Sequence, residues 1–215
     1  MTTRVKICGI RTADIMRAAL DAGADDVGLV FFGKSPRNVS IAEAAALADI
    51  ARGQARIVVL MVDADDALLD AIVGHVRPDL LQLHGTESVE RCREIKRRWP
   101  VLIMKAIGVG VAADAERALD YVPVVDLILF DAKPPKDAAL PGGNGAAFDW
   151  GMVAGVARKV PFMLSGGLTP GNVAEAIRRT GAQEVDVSSG VETAPGVKDA
   201  GLIRAFISAA KASAI

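Results

Sequence analysis

The sequence predicts a closed (β/α)8 TIM barrel, and three observations support this prediction. Short apolar segments alternate with amphipathic segments along all 215 residues, giving eight strand–helix units of roughly 25 residues each. The apolar segments are rich in Val, Ile and Leu, which is typical of parallel strands buried on both faces. No linker, repeat or low-complexity tract divides the chain, so we expect one domain over residues 1–215. An open doubly wound sheet is the alternative architecture.

The predicted strands and helices alternate from the first residues to the last. The strands are Val5–Cys8, Asp26–Phe31, Arg56–Val62, Leu80–His84, Val101–Lys105, Val125–Phe130, Pro161–Ser165 and Glu184–Val187. The helices are Thr12–Ala22, Ile41–Ala51, Asp65–His75, Ser88–Trp99, Ala112–Tyr121, Asp149–Lys159, Asn172–Thr180 and Ala200–Ala212. Asp65 and Asp149 precede first turns as N-caps do, and Gly23 and Gly181 follow last turns as C-caps do.

Composition excludes several classes of function. The 25 basic and 26 acidic residues nearly cancel, so no broad positive field exists for nucleic acid or an anionic membrane. Aromatic residues make up 4% of the chain, too few for base-stacking platforms. The N-terminus lacks a signal peptide and no segment could span a membrane, so we expect a cytoplasmic protein. Two cysteines cannot form a disulfide framework.

In such a barrel the chemistry lies at the carboxyl ends of the strands and in the loops that follow. Cys8 ends the first strand, and because side chains alternate along a strand, Lys6 shares its face. The apolar Val5 and Ile7 would face the helices, which turns Lys6 and Cys8 toward the barrel axis. A buried structural cysteine is the alternative role for Cys8. A neighbouring ammonium favours the thiolate, which can take a proton. Cys92, within a predicted helix, is interpreted as structural.

Asp131 ends the sixth strand and precedes a long loop over residues 132–148. Its alternative role is a helix or loop cap. A loop of this length in a compact domain is usually functional. It contains Pro141-Gly-Gly-Asn-Gly145, whose glycines permit unusual backbone conformations, although no Walker A pattern follows. The strand end and the loop make Asp131 a candidate catalytic residue.

Glycine-containing loops follow the last two strands. Gly166 and Gly167 follow the seventh strand, and Ser188, Ser189 and Gly190 follow the eighth. Loops at these two places of a barrel often bind phosphate through backbone N–H groups. Each glycine segment alone could be an ordinary tight turn. Because both occur in adjacent final units, we predict a phosphate site.

Three further polar residues lie near strand ends. Arg37 follows the stiff Pro36 in the second loop and could clamp a carboxylate, although a lone loop arginine is usually solvated. Gln82 and His84 share a face at the end of the fourth strand, and a lone histidine is more often a core residue than a catalyst. No spacing of His, Cys or Asp resembles a metal site.

Taken together, these motifs resemble the phosphoribosylanthranilate isomerase family over nearly the whole chain. In chain order they are Lys6-Ile-Cys-Gly9, Ser35-Pro-Arg37, Gln82-Leu-His-Gly85, Phe130-Asp131, Pro141-Gly-Gly143, Phe148-Asp-Trp150, Leu164-Ser-Gly-Gly-Leu168 and Asp186-Val-Ser-Ser-Gly-Val-Glu192. The first and last are the most specific. One position departs from the family pattern: Ala146 stands where members often carry lysine, which affects an accessory loop contact.

The resemblance implies a (β/α)8 barrel enzyme of tryptophan biosynthesis that isomerises a phosphorylated aminosugar by an Amadori rearrangement. It implies that Asp131 is the general acid and Cys8 the general base, and that Arg37 holds the anthranilate carboxylate. It further implies that the phosphate is held by the two glycine loops. The full set of expected substrate-binding residues is Lys6, Arg37, Gln82, His84, Gly166, Gly167, Asp186, Ser188, Ser189 and Gly190. No cofactor or metal is expected, and we expect a monomer or a homodimer.

One hypothesis goes beyond the resemblance: the ammonium of Lys6, which lies below Cys8 on the same face of the strand, lowers the pKa of the Cys8 thiol. The alternative is a core lysine paired with an acidic residue of another strand. Other functions also remain open at this point. An indole-glycerol-phosphate synthase would carry catalytic Lys and Glu at strand ends, a histidine-pathway sugar isomerase would pair two aspartates, and a non-catalytic barrel would only bind phosphosugars.

Overall fold

The computed structural model describes residues 2–133, 142 and 148–213. The strands are β1 (Arg4–Cys8), β2 (Asp26–Phe31), β3 (Arg56–Met61), β4 (Leu80–Leu83), β5 (Leu102–Val109), β6 (Leu127–Ala132), β7 (Phe162–Leu164), β8 (Glu184–Val187), β9 (Glu192–Ala194) and β10 (Val197–Lys198). The α-helices are α1 (Ala13–Asp21), α2 (Ile41–Ala51), α3 (Asp66–Ala71), α4 (Val89–Arg98), α5 (Ala112–Glu116), α6 (Ala118–Tyr121), α7 (Ala154–Ala157), α8 (Val173–Thr180) and α9 (Ala200–Lys211). Over these described ranges, no helix has both the length and the apolar character needed to cross a bilayer.

Strands β1 to β8 form a closed parallel barrel in sequence order. The barrel closes through pairing of β1 with β8, which sets Lys6 opposite Asp186. The other neighbour of β1 is β2, where Cys8 pairs with Gly28. The predicted barrel is confirmed, and the open doubly wound alternative is wrong.

Alternation along the strands separates two apolar regions. Val5 and Ile7 belong to the large core between strands and helices, as the sequence predicts. A smaller cluster fills the inside of the barrel, and its members are Val58, Leu80, Met104, Ala106, Leu127, Leu129 and Met163. Lys6 and Cys8 alternate with Val5 and Ile7 and therefore face this interior. The inward orientation predicted for them is confirmed.

An ionic cluster lies at the amino-terminal end of the barrel interior. Asp26 is fully buried and accepts hydrogen bonds from Arg4 Nη2 at 3.1 Å and from Arg56 Nε at 2.6 Å. Arg56 also donates to Glu184 at 3.0 Å. These charges and the apolar cluster fill the lower part of the barrel.

The predicted helices are found in order, with local differences. The segment Asp65–His75 is α3 followed by a π-helical turn, Ile72–Val76, and the segment Ala112–Tyr121 is divided into α5 and α6. The segment expected as one helix over Asp149–Lys159 is a short 3-10 turn, Trp150–Val153, followed by the single turn α7. It contains Gly151 and Gly155, and glycine disfavours a helix interior. The sequence interpretation also missed the hairpin of β9 and β10, whose turn contains Gly196 at a φ of 81°. The dipeptide Pro195-Gly196 is a turn signal that could have revealed it.

Candidate active site

A cavity opens at the carboxyl ends of the barrel strands. All of the predicted site residues except Lys6 line it: Cys8, Arg37, Gln82, His84, Asp131, Gly166, Gly167, Asp186, Ser188, Ser189 and Gly190. Residues far apart in sequence thus share one site because each follows a different strand.

Cys8 lies at the base of this cavity. Only 3% of the residue is exposed, and its Sγ lies against Gly28, where an added Cβ would come within 2.9 Å of the sulfur. Burial raises the pKa of the Cys8 thiol, and the charges of Lys6 and Lys198 act in the opposite direction. Lys6 therefore has the predicted effect, but burial outweighs it. The thiol has no disulfide partner.

Lys6 lies beneath Cys8 and forms a buried ion pair across the barrel closure. Its Nζ donates to Asp186 Oδ1 at 2.9 Å, and the other carboxylate oxygen of Asp186 accepts from Ser165 Oγ at 3.1 Å. Burial alone would lower the pKa of Lys6, but the charges of Asp186 and Cys8 and the hydrogen bonds to both together outweigh it, so the pKa is raised. The lysine is fully buried and is not among the described residues that line the cavity. The alternative of a paired core lysine is thus also realised.

Asp131 lies near the end of β6, across the cavity from β2, and contacts two groups among the described residues. Its Oδ1 accepts from the backbone N–H of Ala132 at 2.8 Å, and its Oδ2 lies 3.3 Å from His84 Nε2. His84 Nδ1 in turn lies 3.0 Å from Gln82 Nε2. A Cβ added to Gly142 would come within 2.6 Å of Asp131 Oδ2, so the backbone covers this carboxyl group closely.

Arg37 is buried and its guanidinium is held by a carboxylate of β9. Its Nε and Nη2 each donate to Glu192 at 2.8 Å, one to each carboxylate oxygen. Glu192 also accepts from Lys198 Nζ at 2.6 Å. Burial alone would raise the pKa of Glu192, but hydrogen bonds and charge from both cations lower it to about 2. The alternative of a solvated loop arginine is wrong, because Arg37 is buried and Glu192 fixes its side chain at the cavity wall.

The two glycine loops lie side by side at the ends of β7 and β8. Gly166 and Gly167 have φ values of 85° and 65°, a region that favours glycine. A Cβ on Gly190 would lie 1.9 Å from the carbonyl oxygen of Leu168, so the loops approach too closely for any side chain there. Lys198 Nζ donates to the carbonyl oxygen of Ser188 at 3.0 Å, which brings a cation to the edge of these loops.

The opposite wall of the cavity is apolar and follows β2 and β3. It consists of Val30, Phe32, Leu60 and Val62, and Arg37 lies beside it. The arrangement offers an apolar surface with a cation on one side and backbone-lined glycine loops on the other. In the described residues, no group of three or more metal-ligating side chains could hold a metal ion.

Sequence reasoning missed two parts of this site. Glu192 ends the last of the family motifs, but no role is predicted for it, and Lys198 has no local signal. The buried ion pair of Lys105 with Glu87, at 2.8 Å, was also missed. Within the predicted glycine-rich segment Pro141–Gly145, the structure describes Gly142. The other residues of this segment and Ala146 lie outside the described residues.

Comparisons with known proteins agree with this geometry. A family model described as "N-(5'phosphoribosyl)anthranilate (PRA) isomerase" matches residues 5–209. The chain belongs to the N-(5'-phosphoribosyl)anthranilate isomerase family. The N-(5'-phosphoribosyl)anthranilate isomerase of Rhodopseudomonas palustris is 59% identical over 213 residues, which cover 99% of this chain and 100% of that protein.

Solved structures of isomerases in this family share the fold. The phosphoribosylanthranilate isomerase of Thermotoga maritima has a TM-score of 0.88 and 38% identity, covering 98% of this chain and 99% of that one. A second solved isomerase, at 37% identity with the same coverage and a TM-score of 0.85, is in complex with reduced 1-(o-carboxyphenylamino)-1-deoxyribulose 5-phosphate. The family resemblance drawn from the motifs is therefore confirmed.

Proposed function

We propose that this chain converts N-(5-phosphoribosyl)anthranilate into 1-(2-carboxyphenylamino)-1-deoxyribulose 5-phosphate, with Asp131 as general acid and Cys8 as general base. The observation that carries this proposal is the position of both residues on one cavity, at the ends of β6 and β1. The ligand of the solved relative is a reduced form of the same product, which supports the choice of substrate.

The substrate has an aromatic carboxylate at one end and a phosphate at the other, and the cavity has a matching polarity. The apolar wall with Arg37 beside it suits the anthranilate group, since a guanidinium binds carboxylates with directed N–H groups. The glycine loops suit the phosphate, since close backbone approach exposes N–H donors. The reacting carbons would then lie between the two ends, where Cys8 and Asp131 line the cavity.

In the first step Asp131 donates a proton to the furanose ring oxygen. The bond from C1′ to that oxygen breaks, its electron pair stays on oxygen, and the anthranilate nitrogen pair forms a protonated Schiff base with C1′. As this proton leaves, Ala132 N–H and the His84 side chain can stabilise the carboxylate that forms. Groups directed at developing charge in this way lower the barrier.

In the second step the thiolate of Cys8 removes the proton at C2′. The C–H electron pair forms the C1′–C2′ double bond, and the iminium pair returns to nitrogen, which gives an enolamine. Tautomerisation then adds a proton at C1′ and removes one from the C2′ hydroxyl. One proton must finally return from the Cys8 thiol to Asp131, which resets both groups.

The raised pKa of Cys8 has a use in this mechanism. A thiolate of high pKa is the stronger base, and the iminium cation formed by ring opening favours the thiolate at the moment it is needed. Lys6 and Lys198 contribute positive charge from the protein side. The base is therefore available mainly when the intermediate is bound.

The test is to measure turnover of the labile substrate through the loss of its anthranilate-type fluorescence. We expect Cys8→Ala and Asp131→Asn each to lower kcat by roughly 10²–10⁴-fold, the usual contribution of a general acid or base. Cys92→Ala is the matched control for the thiol, because Cys92 is a buried helix cysteine whose pKa burial raises to about 11. Asp126→Asn is the control for the loss of a carboxyl group, because Asp126 immediately precedes the first residue of β6, at the end of the strand away from Asp131.

Two results would contradict the proposal. Near-wild-type turnover by Cys8→Ala would remove the assigned base. Binding of the substrate without conversion by the wild-type chain would favour the non-catalytic phosphosugar barrel instead.

A further inference from the structure

We propose that Gln82 is a positioning residue that fixes the tautomer of His84, so that His84 Nε2–H is directed at Asp131. This inference rests on the proposed function, because it assigns Gln82 and His84 to the proton transfer by Asp131. Its central claim, the location of one imidazole proton, can nevertheless be measured without turnover.

The three side chains form a continuous row at the edge of the cavity. Gln82 Nε2 lies 3.0 Å from His84 Nδ1, and His84 Nε2 lies 3.3 Å from Asp131 Oδ2. Gln82 is fully buried on the inner face of β4, and only 10% of the His84 side chain is exposed. Each imidazole nitrogen thus faces one specific protein group.

The chemistry of an amide nitrogen decides which imidazole nitrogen carries the proton. The structure places the NH2 group of Gln82, rather than its carbonyl oxygen, at His84 Nδ1. An NH2 group in this position donates, so Nδ1 accepts with its lone pair. A neutral imidazole then has its proton on Nε2, and Nε2 is the atom that faces Asp131. Gln82 therefore makes His84 a donor to the carboxyl group.

The stability of the fold does not explain a buried amide at this position. Within the part of the chain that the structure describes, Gln82 Oε1 is buried and has no hydrogen-bond partner. An unsatisfied buried acceptor destabilises a protein, and an apolar side chain of similar size would avoid this cost. The bond to His84 is the feature that distinguishes glutamine from such a side chain.

The backbone around His84 is anchored from outside the barrel. Lys105 Nζ donates to the carbonyl oxygens of Leu83 at 3.2 Å and Gly85 at 2.8 Å, the residues on either side of His84. Lys105 is held by Glu87, whose carboxylate also accepts from Gly85 N–H. These bonds fix the backbone at His84. The tautomer of the imidazole ring can still vary, and the hydrogen bond from Gln82 restricts it.

The donor at Nε2 matters most as Asp131 loses its proton. A protonated carboxyl group accepts a hydrogen bond weakly, whereas a carboxylate accepts it strongly. His84 therefore stabilises the transition state for ring opening more than the ground state, which raises kcat rather than substrate affinity.

The sequence offers a direct measurement because it contains only two histidines, His75 and His84. NMR of protein labelled with ¹⁵N-histidine distinguishes a protonated from an unprotonated ring nitrogen, and a His75→Gln variant assigns the signals. We expect the neutral His84 of the wild-type protein to carry its proton on Nε2. In Gln82→Glu the carboxylate can only accept, so we expect Nδ1 to be protonated. In Gln82→Met the preference for the Nε2–H tautomer should weaken.

The kinetic and stability measurements complete the test. We expect both variants to lower kcat by on the order of 10- to 100-fold, the effect of one hydrogen bond to a charged group, with KM nearly unchanged. Gln82→Met should not lower the melting temperature. Gln54→Met, a change of an exposed glutamine that donates to Ile50 in its own helix region, is the control.

Two outcomes would overturn the inference while leaving the proposed function intact. One is a wild-type His84 protonated on Nδ1, and the other is a Gln82→Met variant with the wild-type tautomer and kcat. By contrast, full turnover by Asp131→Asn would contradict the proposed function, whatever the tautomer of His84. If Gln82→Met does not fold, the nearly isosteric Gln82→Glu decides the question alone.

Discussion

Replacing Gly28 by alanine tests how closely the predicted base is packed. A Cβ at this position would lie 2.9 Å from the sulfur of Cys8, 3.0 Å from the backbone of the same residue and 3.2 Å from Lys6 Nζ, whereas ordinary packing distances begin near 3.4 Å. The sulfur must therefore move by about half an ångström, and because the Cys8 backbone is equally close, a change of rotamer gives no easy escape. We expect Gly28→Ala to lower the free energy of unfolding by about 1–3 kcal/mol, the usual cost of overpacking.

The same displacement should slow catalysis. Misplacing a catalytic group by up to an ångström can cost about 10²-fold, so we expect a loss of roughly 10- to 100-fold in kcat for Gly28→Ala. Turnover is measured by substrate fluorescence and stability by urea unfolding. Gly33→Ala, where an added Cβ meets no atom within 4 Å, should leave both values unchanged. Wild-type turnover and stability in Gly28→Ala would refute the packing of Cys8 on this strand.

The remaining predictions concern buried charges. Lys6→Met should slow alkylation of Cys8 by iodoacetamide at neutral pH, because the nearby ammonium lowers the pKa of that thiol. Asp186→Asn should speed the alkylation, because the Asp186 carboxylate raises the same pKa. An unchanged rate in Lys6→Met would reject the Lys6 hypothesis. Glu192 has a pKa lowered from 4.5 to about 2 by its two cationic partners, against the effect of burial. Its stabilising contribution is present above pH 4.5 and is lost as pH falls toward 2. Urea unfolding at pH 7 and pH 3 should therefore show a larger acid-induced loss in the wild type than in Glu192→Gln, and equal losses would contradict this.

The barrel and the positions of Cys8 and Asp131 on its cavity could be predicted because their signals are local. Continuous apolar segments with helical patterns between them define each unit over a few dozen residues, and the rule that chemistry follows the strand ends then selects Cys8 and Asp131. Alternation along β1 also predicted correctly that Lys6 shares the inner face with Cys8. These inferences need only the period of a strand and the order of the units.

The ion pairs could not be predicted because nothing local encodes them. Arg37 and Glu192 are 155 positions apart, and they meet only because a short hairpin after β8 packs against the loop after β2. That packing is close, since a Cβ on Gly196 would lie 2.7 Å from the carbonyl oxygen of Pro36. The sequence correctly indicated that Lys6 lowers the pKa of Cys8. It could not indicate that this pKa is raised overall, because the overall shift depends on how deeply the thiol is buried.

These buried pairs explain how a nearly neutral chain can bind an anionic substrate. Lys6 is partnered by Asp186, while Arg37 and Lys198 share Glu192. A buried cation without a partner would lose several kcal/mol to desolvation, whereas a paired one is tolerated. Pairing also cancels most of the long-range field of these cations. Under the proposed function, recognition of carboxylate and phosphate at two ends of one pocket depends on geometry, and net charge alone therefore carries no information about this site.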